Sequence, residues 1–352
     1  MTAQTAQTAQ KVLADVDTGI DDSLALVYLA GLHRAGEIEL VGVTCAGGNT
    51  TAAWSARNTK YILGLCGCSE VPVVSGFEGP ADRELTTTPE THGPYGLGYN
   101  LAPPAAIYEP GPGGTAAPLA LWRQVIERAT ATGEQVQLLV TGPMTTYVAA
   151  LQQYPELMRA LGGVTIMGGS LDYPGNVTEF AEWNFWVDPT AVTQVFGTSG
   201  ALAQDDPSSY VPSLAQQVGA PQPTLVPLNV TETITISDTE VASWAAAGMD
   251  SELLRVLRRA LKFYFEFHQS VGVGYKAQVH DLFAAMVATG TVPYQSRDLH
   301  LVGVDKRSYE QAPARRGQVV ADRSGARAKV VLAAARQEAL AEFLRVVSLQ
   351  RN

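Results

Sequence analysis

Short apolar runs alternate along most of the chain with stretches whose apolar residues recur at helical spacing. The run at 12–14 is too short for a helix and predicts a buried strand. Residues 23–34 follow it, with Leu24, Leu26, Val27, Leu29 and Ala30 spaced as on a buried helix. The same reading predicts strands at 39–46, 71–74, 136–140, 164–167, 225–228, 317–321 and 329–332. Between them it predicts helices at 52–65, 118–130, 145–151, 238–247, 250–269 and 337–347. Two more open at Asp188-Pro189 and at Asp281, the second over 282–288. Such alternation implies an α/β fold, a Rossmann-like, mostly parallel central sheet with helices on both faces. No shift of composition divides residues 11–352, which read as a single domain. Residues 1–10 repeat Thr-Ala-Gln three times and read as a disordered low-complexity tail. Residues 76–117, rich in Gly, Pro and Thr, are the longest irregular stretch and have the character of a functional flap.

Polar residues gather where the predicted strands end. The first strand runs into Asp15 and Asp17, turns at Thr18-Gly19 and delivers Asp21 and Asp22 to the next helix. Later strands end in Gly47-Gly48-Asn49, in Thr141-Gly142-Pro143 and in Met167-Gly168-Gly169. Ligands of parallel sheets bind beyond the carboxyl ends of the strands, so these residues converge on one rim. Four carboxylates within 15–22 repel one another unless a cation or a shared proton offsets them. A hard divalent cation held by oxygen is the simplest remedy. Helix capping, at roughly 0.3–1 kcal/mol, explains Asp21 or Asp22 and leaves Asp15 and Asp17 unexplained. An EF-hand loop from Asp15 requires Gly and Glu where Ile20 and Leu26 stand. A phosphatase of the haloacid-dehalogenase type shares the Asp-x-Asp opening, but its later Lys and second acidic motif find no convincing match.

Composition narrows the partners. A net charge of −10 and a pI near 5.0 argue against nucleic acid or an anionic membrane and leave room for a small neutral or cationic substrate. Cys45, Cys66 and Cys68 lack the spacing of a zinc or redox motif and read as reduced, buried small hydrophobes. With no apolar leader and no run of transmembrane length, the expectation is a cytoplasmic protein.

Taken in order, the motifs resemble those of the inosine–uridine nucleoside hydrolases. The resemblance runs from Val12 to about Val347 through the Asp-rich opening, Gly48-Asn49, His92-Gly93 and Thr141-Gly142-Pro143. It continues through Met167-Gly168-Gly169, Gly175-Asn176, Glu182-x-Asn184 and His280-Asp281. It implies hydrolysis of ribonucleosides to ribose and free base with a calcium ion held by Asp17, Asp22, Asp281 and the Thr141 carbonyl. Asp17 would be general base for a water on that ion, attacking the anomeric carbon. Asp21, Asn49 and Asn184 would hold the 2′- and 3′-hydroxyls, Asn176 and Glu182 the 5′-hydroxyl, and Met167 would pack against the sugar. His280 would assist the leaving base, against the plainer reading of a structural histidine. His92 would contact the base or close the flap, and Trp183 and Trp186 would stack on substrate or fill core. Asp15 would support the loop by hydrogen bonding. Further implications are a role in nucleoside salvage and a homodimer or homotetramer.

Three departures stand out. Thr18 replaces a Pro, Asn229 stands where Asp is common, and His268 stands where a Tyr is expected near the base. The last could supply an extra donor to the leaving group and puts base preference in doubt. A calcium-dependent nucleoside- or ribose-binding protein without catalysis is the alternative. It needs neither Asp17 nor His280, and the chain has both.

Overall fold

A computed structural model describes residues 9–80, 82–107, 116–198 and 211–349. Strand β1 (Gln10–Val16) sets the pattern: Val12, Ala14 and Val16 point into one apolar core and Leu13 into the other. A strand buried on both faces needs partners on both sides, and β1 has β2 (Ile38–Cys45) and β4 (Val136–Val140), both parallel. The sheet continues outward to β3 (Val73–Ser75) beyond β2 and to β5 (Gly163–Met167) and β6 (Thr224–Val226) beyond β4. A two-stranded ribbon of β7 (Thr235–Ile236) and β8 (Ala277–Gln278) lies apart. The far edge is made by β9 (Tyr294–Gly303), β10 (Val319–Ala321) and β11 (Ala326–Ala334). In space the order is β10-β9-β11-β6-β5-β4-β1-β2-β3, with only β9 running against the other strands.

Helices cover both faces, as alternation predicts. On one face the helix Ile20–Arg34 is buried without a break from Ile20 to Leu32. It packs against the helices Ala52–Leu65, His280–Thr289 and Arg336–Leu349. The other face carries Ala117–Ala131, Thr145–Gln153 and Pro189–Phe196. The chain is thus one α/β domain, and no helix among the described residues is long and apolar enough to cross a membrane. Cys45, Cys66 and Cys68 are free and buried.

Two expectations need correction, and one long strand went unforeseen. Gln10, assigned above to the tail, pairs with Ile38 in β1; residues 1–8 lie outside the described residues. The strand expected at 225–228 ends at Val226, since Pro227 has no N–H to continue a ladder and Leu228 opens a short helix to Thr231. Asn229 sits in that short helix. The long β9 was invisible because most of it is exposed and only its last residues enter the core.

What the topology contributes to function is one position. From β1 the chain steps toward β2 and β3 on one side, and toward β4, β5 and β6 on the other. The carboxyl ends of β1 and β4 therefore flank a switch point, where helices diverge and a crevice opens. Asp17 follows β1, and Thr141 follows β4.

Candidate active site

At that crevice the backbone dictates where the carboxylates go. Asp22 lies in the first turn of the helix Ile20–Arg34, and its Oδ2 accepts from the Gly19 N–H at 2.8 Å. The cap expected for this residue is real, and Asp22 has further work. Its Oδ1 accepts from the Thr141 hydroxyl at 2.9 Å and its Oδ2 from the Asn49 amide at 3.3 Å. Asp17 is held by the Asn49 N–H, which donates to Oδ2 at 2.7 Å. Its room is made by two glycines: a Cβ at Gly48 would lie 2.1 Å from Asp17 Oδ2, and one at Gly142 would lie 3.0 Å from Asp17 Cβ. Carboxylate oxygens of Asp21, Asp22 and Asp281 come within 4.8 Å of one another, with Asp17 beside that trio. Asp15 stands back from it and accepts from the Thr44 hydroxyl at 2.5 Å.

Burial without compensation dominates the electrostatics. Desolvation, then the charge of Asp22, raises the Asp17 carboxyl well above the ordinary range. Desolvation and Asp22 raise Asp21 to about 7, and desolvation with Asp21 and Asp22 raises Asp281 well above its usual value. Asp17 Oδ1 and Asp21 Oδ1 are buried with no hydrogen-bond partner among the described residues. Orphaned buried oxygens beside a carboxylate trio are what an oxygen-liganded cation would satisfy, and the cluster could hold one.

Asp21 and Asp281 of the cluster line a cleft of about 600 Å³, while Asp17 and Asp22 are buried and do not line it. Asn49, Thr141, Met167, Asn176, Glu182 and Asn184 line its sheet end. Asn184 Nδ2 donates to the Thr141 carbonyl at 2.6 Å. Glu182 caps the helix Trp183–Val187, accepting from the N–H groups of Gly169, Asn184 and Phe185. Desolvation outweighs those bonds and raises it to about 7. Asn176 is exposed on the rim, its Oδ1 accepting from the Trp183 N–H at 2.9 Å. The opposite end is aromatic and imidazole-rich, with His92, Trp183, Tyr264, Phe267, His268 and His280.

Residues 12–343 match the family model described as inosine-uridine preferring nucleoside hydrolase. The chain belongs to this family. It is an enzyme that hydrolyses the N-glycosidic bond of ribonucleosides. It is 30% identical over 274 residues to a pyrimidine-specific ribonucleoside hydrolase RihA of Enterobacter sp. (strain 638), covering 78% of this chain and 77% of that one. The RihA of Photobacterium profundum is 29% identical over the same shares. Among solved structures, a purine-preferring ribonucleoside hydrolase from Gardnerella vaginalis superposes with a TM-score of 0.77 at 24% identity, over 97% of this chain and 99% of that one. The names differ over the base, while the fold is common to all.

Where this nucleoside hydrolase departs from the expected motifs, the structure supplies local reasons. Thr18 replaces proline stiffness with contacts: its hydroxyl pairs with Thr59 at 2.6 Å and its carbonyl accepts from Asn58. Asn229 accepts from the Leu171 N–H and donates to the Leu171 carbonyl at 2.6 Å, and an ionised Asp could not make that second bond. The glycine-rich flap is pinned, with Asn58 donating to the Tyr95 carbonyl and Asn100 to the Val256 carbonyl.

Each histidine at this aromatic end has a defined partner. His92 Nδ1 accepts from the Ile20 N–H at 3.0 Å, so its proton resides on Nε2, and burial pushes its pKa down to about 3. His268 Nδ1 lies 2.8 Å from the Tyr264 carbonyl. A carbonyl only accepts, so Nδ1 carries the proton and, with burial holding the ring neutral, Nε2 is an acceptor. The extra donor expected at this position is therefore an acceptor. Trp183 and Trp186 stack on each other, and only Trp183 reaches the cleft. Sequence reasoning missed Tyr264, Phe267 and Gln278 as lining residues. Tyr264 and His268 share one helix face at four-residue spacing, a signal that also describes ordinary core.

Proposed function

We propose that this enzyme cleaves ribonucleosides by water attack on the anomeric carbon, with Asp17 as general base. The observation that carries this reading is the unpartnered, buried Oδ1 of Asp17 beside three further carboxylates, two of which, Asp21 and Asp281, line the cleft. Asp17, Asp22, Asp281 and the Thr141 carbonyl would offer an all-oxygen donor set that suits calcium. When bound, that cation supplies Lewis acidity that makes water a nucleophile at neutral pH.

Asp17 has one oxygen fixed by the Asn49 N–H and the other free to take the proton of the attacking water. Asp21, Asn49 and Asn184 hold the 2′- and 3′-hydroxyls, and Asn176 with the remaining acceptor capacity of Glu182 holds the 5′-hydroxyl. Met167 packs against the sugar. The glycosidic bond opens through an oxocarbenium-like state, whose positive charge the surrounding carboxylates stabilise. His280 gives a hydrogen bond to the departing base, and Trp183 and Tyr264 present aromatic surface to it. The same reading makes this a cytoplasmic enzyme of nucleoside salvage that works as a homodimer or homotetramer.

The test is release of free base and reducing sugar from inosine, uridine, cytidine and adenosine, with and without a calcium chelator. Expected is turnover that disappears on chelation and returns with calcium, the ranking of bases reading out preference. Turnover of none, with calcium bound, would favour a binding protein instead.

A further inference from the structure

His280 lines the cleft at the first turn of its helix, and its Nδ1 lies 2.8 Å from the hydroxyl of Thr231. Thr231 is wholly buried, does not line the cleft and touches no part of the space a nucleoside would fill. It ends the short helix after β6, and the chain then runs directly into β7, which pairs with β8 just before His280. The Val279 N–H also donates to the Ile234 carbonyl at 3.0 Å. The ribbon thus fixes the hydroxyl and the imidazole in one register.

Two arrangements of protons fit the distance. If His280 Nδ1–H donates, the buried Thr231 hydroxyl hydrogen has no other acceptor in the hydrogen bonds of the described residues. If the hydroxyl donates, both groups are satisfied, and burial favours the satisfied arrangement. The imidazole proton is then on Nε2. The geometry points to Thr231 as a positioning residue that holds His280 in the Nε2–H tautomer, so that the neutral ring offers a donor to the departing base. This rests on the reading of His280 at the leaving group. It parallels the way a buried partner on one ring nitrogen decides what the other can do.

Thr231→Val keeps the shape and removes the hydroxyl; Thr231→Ser keeps the hydroxyl. Both are compared with the unaltered enzyme, calcium present, on uridine, inosine and p-nitrophenyl riboside, whose leaving group departs without help from a donor. Expected for Thr231→Val is a fall in kcat of roughly 10–100-fold on the nucleosides, with KM little changed and the nitrophenyl riboside unaffected. Thr231→Ser restores the nucleoside rate. Long-range proton–nitrogen NMR of histidine-labelled enzyme is expected to show His280 as the Nε2–H tautomer in the unaltered and Ser forms. An equal fall on all substrates, no fall at all, or an Nδ1–H tautomer in the unaltered enzyme would overturn the inference. If the unaltered enzyme turns over neither the nucleosides nor the riboside, the reaction reading fails instead, and the NMR result alone decides the tautomer. Should the Val form not fold, the unaltered and Ser forms still decide it by NMR.

Discussion

At the sheet end of the cleft, Asp17 and Thr141 hang from strand termini, and Asp22 sits in the first turn of the helix that follows β1. At the base end, His92, His268 and His280 come from the end of the one-turn helix Pro89–His92, the last turn of a long helix and the first turn of another. The first group is fixed by topology and by glycines that leave it room. The second is fixed by single hydrogen bonds that assign each imidazole a donor and an acceptor side. On the proposed reading, the sheet end governs whether reaction occurs at all, and the base end governs which base leaves and how readily.

The largest expected effect lies at Asp17. Asp17→Asn keeps the hydrogen-bonded shape and removes the base, so kcat should drop by about 10³-fold or more, with the circular dichroism spectrum unchanged. Undiminished turnover would remove Asp17 from the reaction. A smaller effect is expected from Gly48→Ala. Gly48 does not have a left-handed φ, so the change acts through space alone, driving a methyl into Asp17 Oδ2. A displacement of an ångström or so at a reacting group costs roughly 100-fold, and kcat is expected to fall by that order while KM holds. A Gly48→Ala enzyme as fast as the original would mean that Asp17 has slack.

How far the two ends were legible follows from the same contrast. The four aspartates declare themselves in eight residues because like charge is conspicuous and strand ends are easy to locate. Strand–helix alternation likewise discloses the parallel sheet, since each buried strand is a continuous apolar run. By contrast β9 escaped detection because an exposed edge strand has no apolar signature. The donor or acceptor character of His268 depends on a carbonyl four residues earlier in its helix, and that of His280 on a threonine 49 residues away. No local pattern encodes either one.

Acidity separates the two ends in a third way. The buried carboxyls of Asp21 and Glu182, raised to about 7, and those of Asp17 and Asp281, raised well above the ordinary range, bind protons more tightly in the folded state than in the unfolded one. Between the ordinary carboxylate range and those values, rising pH therefore removes stability. His92 and His280, lowered to about 3, act in the opposite sense, but only up to the usual imidazole value of 6.5. Above 6.5 the carboxyls act alone, so the chelated protein should lose melting temperature from pH 6.5 to 8. Calcium should restore it, and by more at pH 8 than at pH 6.5, because the cation binds the ionised cluster. A calcium-induced rise that is equal at both values would uncouple the cluster from the cation.

The smallest effect belongs to His268, and it concerns a ratio rather than a rate. With Nδ1–H given to the Tyr264 carbonyl, Nε2 has one lone pair, and Gln278 is its neighbour across the cleft wall. That lone pair, directly or through the Gln278 amide it orients, favours a base whose edge presents an N–H. A neutral hydrogen bond contributes about 0.5–1.5 kcal/mol net, so uridine should exceed its N3-methyl derivative by roughly two- to tenfold in kcat/KM beyond their intrinsic difference. His268→Phe preserves the ring and removes the lone pair. In that variant the extra factor should vanish for the pair, while p-nitrophenyl riboside, which has no such N–H, keeps its rate. Comparing two substrates across two enzymes cancels both the bulk of the added methyl and the reactivity of each leaving group. If the ratio survives the substitution, the base edge is read elsewhere, and His268 serves only to close the wall behind Tyr264.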